Sequence, residues 1–167
     1  MTKLNGKVAI ITGAGRLRGI GYSSAIAFAK LGAKVVVTGT GRKQENYPED
    51  EKKVGWKDVE STANKIRELG SESLFFNLDV TDEKQVQYVI NEVYKKFNAI
   101  DILVNNAAVA IGTDRSPITE VDLNTFQKVV DVKVTGSYLC TKHVIPFMKK
   151  NKSGGKIVNI ASLSGKK

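Results

Sequence analysis

The residues best equipped for chemistry stand at intervals along this chain, each just past an apolar run. Lys7 to Gly21 reads KVAIITGAGRLRGIG, an extended apolar run that breaks into glycines and then takes up a helical period. Strand, Gly-rich turn and helix start are the layout of a dinucleotide-binding βα turn. Gly13 lets the chain leave the strand tightly. Gly19 and Gly21, with Ile20 between them, let backbone approach a pyrophosphate and let the helix pack on a sheet. The helix start offers unpaired N–H groups and the positive end of its dipole to phosphate. Arg16 and Arg18, inside the loop, add charge that can pair with the same phosphates. Asp79 ends a later apolar run, where an acceptor can take a proton from an adenine amino group; its plainer role is a cap or turn. Asn105 and Asn106 end another. Their amides can pin backbone across the sheet edge, and Ala107 and Ala108 leave room for a flat nucleotide. Ser162 lies just past the last run, where its hydroxyl can hydrogen-bond a substrate carbonyl; taken alone, it reads as a turn residue.

The elements that must position these groups alternate. Val8–Thr12, Val35–Thr38, Leu74–Leu78, Ile100–Val104 and Lys156–Ile160 are short runs rich in β-branched residues, each bounded by Gly, Asp, Asn or Ser. Helical periods lie between them. The first carries Ala25, Phe28, Ala29 and Leu31. The second carries Val59, Thr62, Ala63, Ile66 and Leu69 and is closed by Gly70. The third carries Val86, Val89, Ile90, Val93 and Phe97, with Thr81 as the expected N-cap. A long helix is expected from about Asp122 to Lys150, kinked or ended by Pro146. Strands alternating with helices imply right-handed crossovers and a parallel sheet. The expected fold is α/β, a doubly wound parallel sheet of Rossmann type, incomplete at its carboxyl end. Residues 1–167 read as one dinucleotide-binding domain.

Composition narrows the function classes. With 41% hydrophobic and 26% charged residues, the chain matches an ordinary globular domain. Met1-Thr2-Lys3-Leu4 leads straight into the first apolar run with no signal-peptide core, and no apolar stretch approaches the roughly 18 residues that span a membrane. A cytoplasmic protein is expected. One Cys and one His, Cys140 and His143, make neither an intrachain disulfide nor a zinc site, so no metal is expected. The formal net charge of +9 invites a nucleic-acid reading. Its distribution argues otherwise: residues 1–127 carry 17 basic against 16 acidic groups, whereas residues 128–167 carry nine lysines against Asp131 alone. Without aromatic interleaving, a local excess of lysine is a weak nucleic-acid signal.

Taken together, the motifs resemble the classical short-chain dehydrogenase/reductase family from about residue 5 onward. The family's Thr-Gly-x-x-x-Gly-x-Gly loop matches Thr12-Gly13 through Gly19-Ile20-Gly21, with two extra residues inside the loop. Its Asp after the third strand matches Asp79, beside Val80. Its Asn-Asn-Ala-Gly matches Asn105-Asn106-Ala107-Ala108, with Ala for the final Gly. Its fifth-strand signature matches Ile157 to Ser162. The resemblance implies hydride transfer between a nicotinamide cofactor and a small-molecule carbonyl or alcohol, Ser162 as a catalytic residue, no nucleic-acid or membrane partner, and a homo-oligomer. It also implies a Tyr-x-x-x-Lys helix after strand five. Only five residues follow Ser162 and none is Tyr, and neither Tyr94 nor Tyr138 on earlier helices is expected to substitute. The 167-residue chain is therefore expected to bind cofactor without turnover. The alternative from another class is a non-catalytic dinucleotide-binding module.

Cofactor choice is read from the end of the second strand, VVVTGTGRK, which has no acid before Glu45. Thr38, Arg42 and Lys43 offer a hydroxyl and cations suited to a 2′-phosphate, so NADP is expected, with NAD the other candidate. The segment Gly41–Trp56 is long, polar and mixed in charge, and reads as a solvated surface loop able to cover the adenine end of the cofactor. Trp56 reads as a packing anchor. The family's helix-borne Asn falls on Lys133, where a cation needs a carboxylate or solvent and puts the usual proton relay in question.

Overall fold

The computed structural model describes residues 3–109, 116–151 and 153–162. Met1 and Thr2 before the first strand, and the five residues after Ser162, lie outside that set. Five strands form one parallel sheet: β1 Val8–Ile11, β2 Lys34–Gly39, β3 Ser73–Asn77, β4 Ile102–Asn105 and β5 Lys156–Asn159, in the order β3-β2-β1-β4-β5. The register pairs Ile10 with both Val36 and Leu103, so β1 is the central strand. All four residues of β1 and of β4 are buried, as expected of strands covered on both faces.

Helices α1 Ile20–Lys30 and α3 Asp58–Glu68 cover one face. Their Ala25, Ala29, Ala63 and Ile66 pack on Ala9, Ile11, Val35 and Val37. Helices α4 Glu83–Phe97 and α6 Gly136–Met148 cover the other, where Val86, Val89, Leu139 and Val144 meet Ile10, Val36 and Leu103. Alternate residues of one strand therefore feed two separate cores. Gly70, at φ +82°, ends α3 as its sequence position foretells. The cap of α4 is not Thr81 but Asp82, whose carboxylate accepts from the main-chain N–H groups of Lys84 and Gln85. Thr81 instead donates to Asp79 through both its N–H and its hydroxyl.

The long helix is continuous but not uniform. Helix α5 spans Leu123–Val130, capped by Asp122, and runs through a π-helical turn over Asp131–Thr135 into α6. Pro146 lies inside α6, which runs only two residues further. A π turn inserts a residue and re-aims side chains, and such turns gather at functional sites. Cys140 is buried in the core beside α4, and burial pushes its thiol up to about 12. Because the thiolate is the reactive form, native protein at pH 8 should resist alkylation that goes to completion in denaturant. Mass spectrometry after timed exposure to iodoacetamide checks this.

Candidate functional site

Ligands of doubly wound sheets bind at the carboxyl ends of the strands where strand order reverses. Here that point lies between β1 and β4, and a hydrogen-bond clamp closes it. Asn106 Nδ2 donates to the carbonyls of Thr12 and Gly13, both at 2.9 Å. The Thr12 hydroxyl accepts from the main-chain N–H groups of Asn106 at 3.1 Å and Ala107 at 3.0 Å. The loops after β1 and β4 are thus tied to one another. Gly13 adopts φ +67°, and a Cβ there would stand 2.7 Å from the Ala107 Cα. Beyond it, α1 opens with Gly19 at the N-cap, no side-chain cap and no acidic residue in the first turn. Gly21 is buried against the clamp, whereas Ile20 is exposed. A cradle of glycine backbone with an uncapped helix start fits a pyrophosphate.

The segment after β2 departs from the solvated loop expected of it. It holds a 3-10 turn at Gln44–Asn46 and the short helix α2 Glu49–Lys53, and it folds back on the glycine loop. Tyr47, Glu51 and Trp56 are buried. Trp56 is the anchor expected: its Nε1 donates to the Gly15 carbonyl at 2.7 Å, and its ring meets Tyr22 edge-on. Glu51 accepts from the main-chain N–H of Leu17 at 2.9 Å and lies 3.0 Å from Arg42 Nη1 and 3.6 Å from Arg16 Nε. Arg18 pairs with Asp50 at 3.0 Å. Both loop arginines therefore lean on acids of this segment.

Of the residues expected at a 2′-phosphate, Thr38 is buried and Arg42 is engaged elsewhere. Thr38 is fully buried inside β2, and its hydroxyl has no hydrogen-bond partner among the described residues. Arg42 is held by Glu51, by the Asp58 carboxylate, which accepts from its main-chain N–H at 2.9 Å, and by the Gly15 carbonyl at 3.2 Å. Its guanidinium also lies 4.8 Å over the Tyr47 ring. The expectation that these two side chains stand ready for a phosphate is corrected on that ground.

On the other side of the crevice, Asp79 is exposed and Val80 buried at the end of β3. A cavity of about 260 Å³ opens beside Asp79, bordered by Asn124, Lys128 and Asp131. Gly136 lets the start of α6 rest on Val80, where any side chain would collide. Asn105 Nδ2 donates to Asn159 Oδ1 at 2.9 Å and to Thr141 Oγ1 at 3.2 Å, joining β4 to β5 and α6. Both asparagines thus pin backbone and neighbouring strands. Lys133, in the π turn, sends its Nζ to the Ala107 carbonyl at 3.3 Å, and burial holds its ammonium below the usual lysine range. The cation meets a main-chain carbonyl at the clamp, where a carboxylate or solvent was expected. Ala108 is exposed at the crevice, and Ser162 is exposed three residues past β5.

Tyr138 has a lysine four residues on, Lys142. The spacing is right but the place is not. Tyr138 is 60% exposed on the stripe it shares with Val134, while Leu139, Cys140 and Val144 face the core. Lys142 is paired with Glu83 at 2.7 Å. The pair sits on the outer face of α6, before β5, and does not enter the crevice.

A parallel sheet in this order, with a glycine loop clamped at its switch point, defines a Rossmann-type nucleotide-binding domain. More particularly, the chain belongs to the short-chain dehydrogenase family, whose model, short chain dehydrogenase, matches residues 7–167. It is 37% identical over 165 residues to a 3-oxoacyl-[acyl-carrier-protein] reductase of Synechocystis, covering 99% of this chain and 59% of that one. It is 35% identical over 165 residues to a galactitol 2-dehydrogenase of Agrobacterium fabrum, covering 99% and 56%. Among solved structures, NAD+-bound xylitol dehydrogenase superposes with a TM-score of 0.81 at 30% identity, covering 99% of this chain and 56% of its own. Carveol dehydrogenase of Mycobacterium avium in complex with NAD gives a TM-score of 0.83 at 26% identity, covering 100% and 58%. The chain spans little more than half the length of the curated relatives it matches.

Proposed function

We propose that the protein to which these residues belong is an NAD(P)(H)-dependent oxidoreductase acting on a small-molecule carbonyl or alcohol. The observation that carries the reading is the clamp between the β1 and β4 loops. It presents glycine backbone and an uncapped helix start to one ligand-sized crevice. Gly13, Ile20 and Gly21 would hold the pyrophosphate by main-chain N–H groups, with Gly19, whose N–H donates to the Arg16 carbonyl at 3.1 Å, shaping the loop beside it. Asp79 and Val80 would border the adenine. Asn105, Ala107 and Ala108 would line the nicotinamide half, with Lys133 fixing the Ala107 carbonyl. The bound dinucleotide supplies the hydride-carrying nicotinamide. Ser162 would donate its hydroxyl hydrogen bond to the substrate oxygen and so orient the reacting carbon. The proton-donating Tyr and its Lys, which the family resemblance implies, are not supplied by Tyr138 and Lys142. Residues 1–167 alone are expected to bind without turnover.

Calorimetric titration of folded residues 1–167 with NADH and NADPH tests the binding. Heat that saturates below millimolar cofactor is expected, and its absence for both would overturn the reading. In the complete protein, Ser162→Ala should lower kcat roughly a hundredfold or more, as loss of a preorganised oxyanion donor does.

The same proposal places the protein in the cytoplasm, without nucleic-acid or membrane partners, as a homo-oligomer. Among the described residues no helix is long and apolar enough to cross a membrane, and no cluster of metal-ligating side chains occurs. Phe126, Val134 and Tyr138 are 53%, 63% and 60% exposed along α5 and α6, a contiguous apolar stripe of the kind that finds a partner. The nine lysines of residues 128–167 repel a second copy, so added salt should strengthen association. Sedimentation velocity at two ionic strengths checks this; a monomer at both, with no binding of a hydrophobic dye, contradicts it.

A further inference from the structure

The buried charges behind the glycine loop carry an inference about which dinucleotide is bound; it rests on the function proposed above. Rossmann-type sites separate the two nicotinamide dinucleotides at the end of the second strand. An acid there accepts from the ribose 2′-OH, and an accessible Arg instead accommodates a 2′-phosphate. No acid follows β2 directly in sequence. The fold delivers one from further along. Asp58, the first residue of α3, is 5% exposed and sits with φ +50°, a backbone conformation uncommon for a non-glycine residue. Its carboxylate lies against Gly15 of the first loop, where any side chain would coincide with it, and 3.6 Å from the position a Gly39 Cβ would take at the end of β2. That is the junction between the first loop and the second strand, the place at which a Rossmann-type site meets the adenosine ribose.

Five cations of this face stand beside acids. Arg42 is shared between Glu51 and Asp58. Arg16 leans on Glu51, Arg18 on Asp50, Lys43 on Glu45 and Lys52 on Glu49. The buried part of the set, one guanidinium between two carboxylates, is net negative. A 2′-phosphate would bring about two further negative charges against it. Drawing Arg42 toward the phosphate would take from Glu51, 1% exposed, its closest cation and leave it the more distant Arg16. A ribose hydroxyl asks for nothing of the kind. Asp58 accepts its bonds from Arg42, and a carboxylate has about four acceptor sites, so it keeps acceptor capacity for one hydroxyl donor.

We propose that Asp58, held in place by Arg42 and Glu51, is the residue that selects a dinucleotide with a free 2′-hydroxyl, so that this chain prefers NAD(H) to NADP(H). The proposal runs against the NADP expected from the sequence, through a carboxylate that arrives from the far side of the segment after β2.

The test uses residues 1–167 and four probes: NADH, NADPH, and the fragments 5′-AMP and 2′,5′-ADP, with Kd read by fluorescence or calorimetry. NADH should bind at least about tenfold more tightly than NADPH, and 5′-AMP more tightly than 2′,5′-ADP, since a site built around a hydroxyl disfavours its replacement. Asp58→Asn should shrink the NADH-to-NADPH ratio by about tenfold by removing both the acceptor strength and the repulsion. Equal or tighter binding of NADPH by the wild-type chain overturns the proposal. So does an unchanged ratio in a folded Asp58→Asn variant. Should that variant fail to fold, the wild-type ratios decide. Failure of all four probes to bind would instead strike the proposed function itself.

Discussion

Replacing Gly21 with alanine should destabilise the protein by several kcal/mol and abolish dinucleotide binding at millimolar cofactor. Helix propensity alone points the other way. Gly21 lies in the first turn of α1 at an ordinary helical φ, and alanine is favoured over glycine inside a helix by about 1 kcal/mol. Packing decides the sign. A Cβ at Gly21 would stand 2.7 Å from Asn106 Nδ2, 2.7 Å from the Gly13 carbonyl oxygen and 2.8 Å from the Ala14 Cα. Two of these atoms are main chain and the third is the clamping amide, so none can step aside cheaply. The methyl group must push α1 off the sheet or break the clamp, and overpacking of this kind costs about 1–3 kcal/mol or more. Either outcome moves the helix start by a fraction of an ångström from where phosphate needs it. Gly55→Ala is the matching control. It has φ +63° with nothing within 4 Å of an added Cβ, so only the backbone cost of about 1 kcal/mol should appear and cofactor binding should persist. Thermal melts and NADH titration of the two variants separate crowding from conformation. Equal effects, or a stabilised Gly21→Ala, would mean the loops are not locked as described.

Much of this arrangement was legible in the residues because it depends on local chemistry. The five apolar runs became the five strands within a residue or two at their ends, since β-branched alternation and flanking turn residues are short-range signals. Gly13, Asp79 and Asn105 fell at strand ends for the same reason. What escaped depends on distance in the chain. The segment Gly41–Trp56 shows mixed charge and no period, so it reads as solvated. Its burial comes from Trp56 reaching back to Gly15 and from Glu51 meeting Leu17 and Arg42, contacts that span 41, 34 and 9 positions of sequence. An acid run such as Glu49-Asp50-Glu51 gives no sign that its third member is buried while the first two are not. The π turn at Lys133 leaves no trace in a helical period, which simply continues through it. Tyr138 and Lys142 show the converse case, a motif spacing that is present but lies on an outward face.

Glu51→Ala should be the most damaging single change among the polar residues, lowering stability by about 3–5 kcal/mol. The loss has three separable parts. The Leu17 main-chain N–H loses its acceptor inside a tightly turned loop, a penalty of about 1–3 kcal/mol when no water replaces it. Arg42, whose side chain is only 20% exposed, keeps Asp58 but loses its closest carboxylate. The short helix α2, which has no other buried residue, loses the contact that ties it to the glycine loop. For a chain of this size each kcal/mol is worth roughly 2–4 °C, so the melting midpoint should fall by about 10 °C or more. Glu51→Gln separates charge from hydrogen bonding. An amide oxygen can still accept from Leu17 and fill the same volume, but it leaves Arg42 with one carboxylate. Its cost should be clearly smaller than that of alanine, and the gap between the two variants measures the Leu17 bond together with the packing of α2. In the double variant Glu51→Ala with Arg42→Ala, the unpaired guanidinium is also gone, so the combined loss should be less than the sum of the single losses by about 1 kcal/mol or more. Strict additivity in that cycle would show that Glu51 and Arg42 do not act as a pair, and that α2 is held to the glycine loop by its apolar neighbours Tyr47 and Trp56 alone.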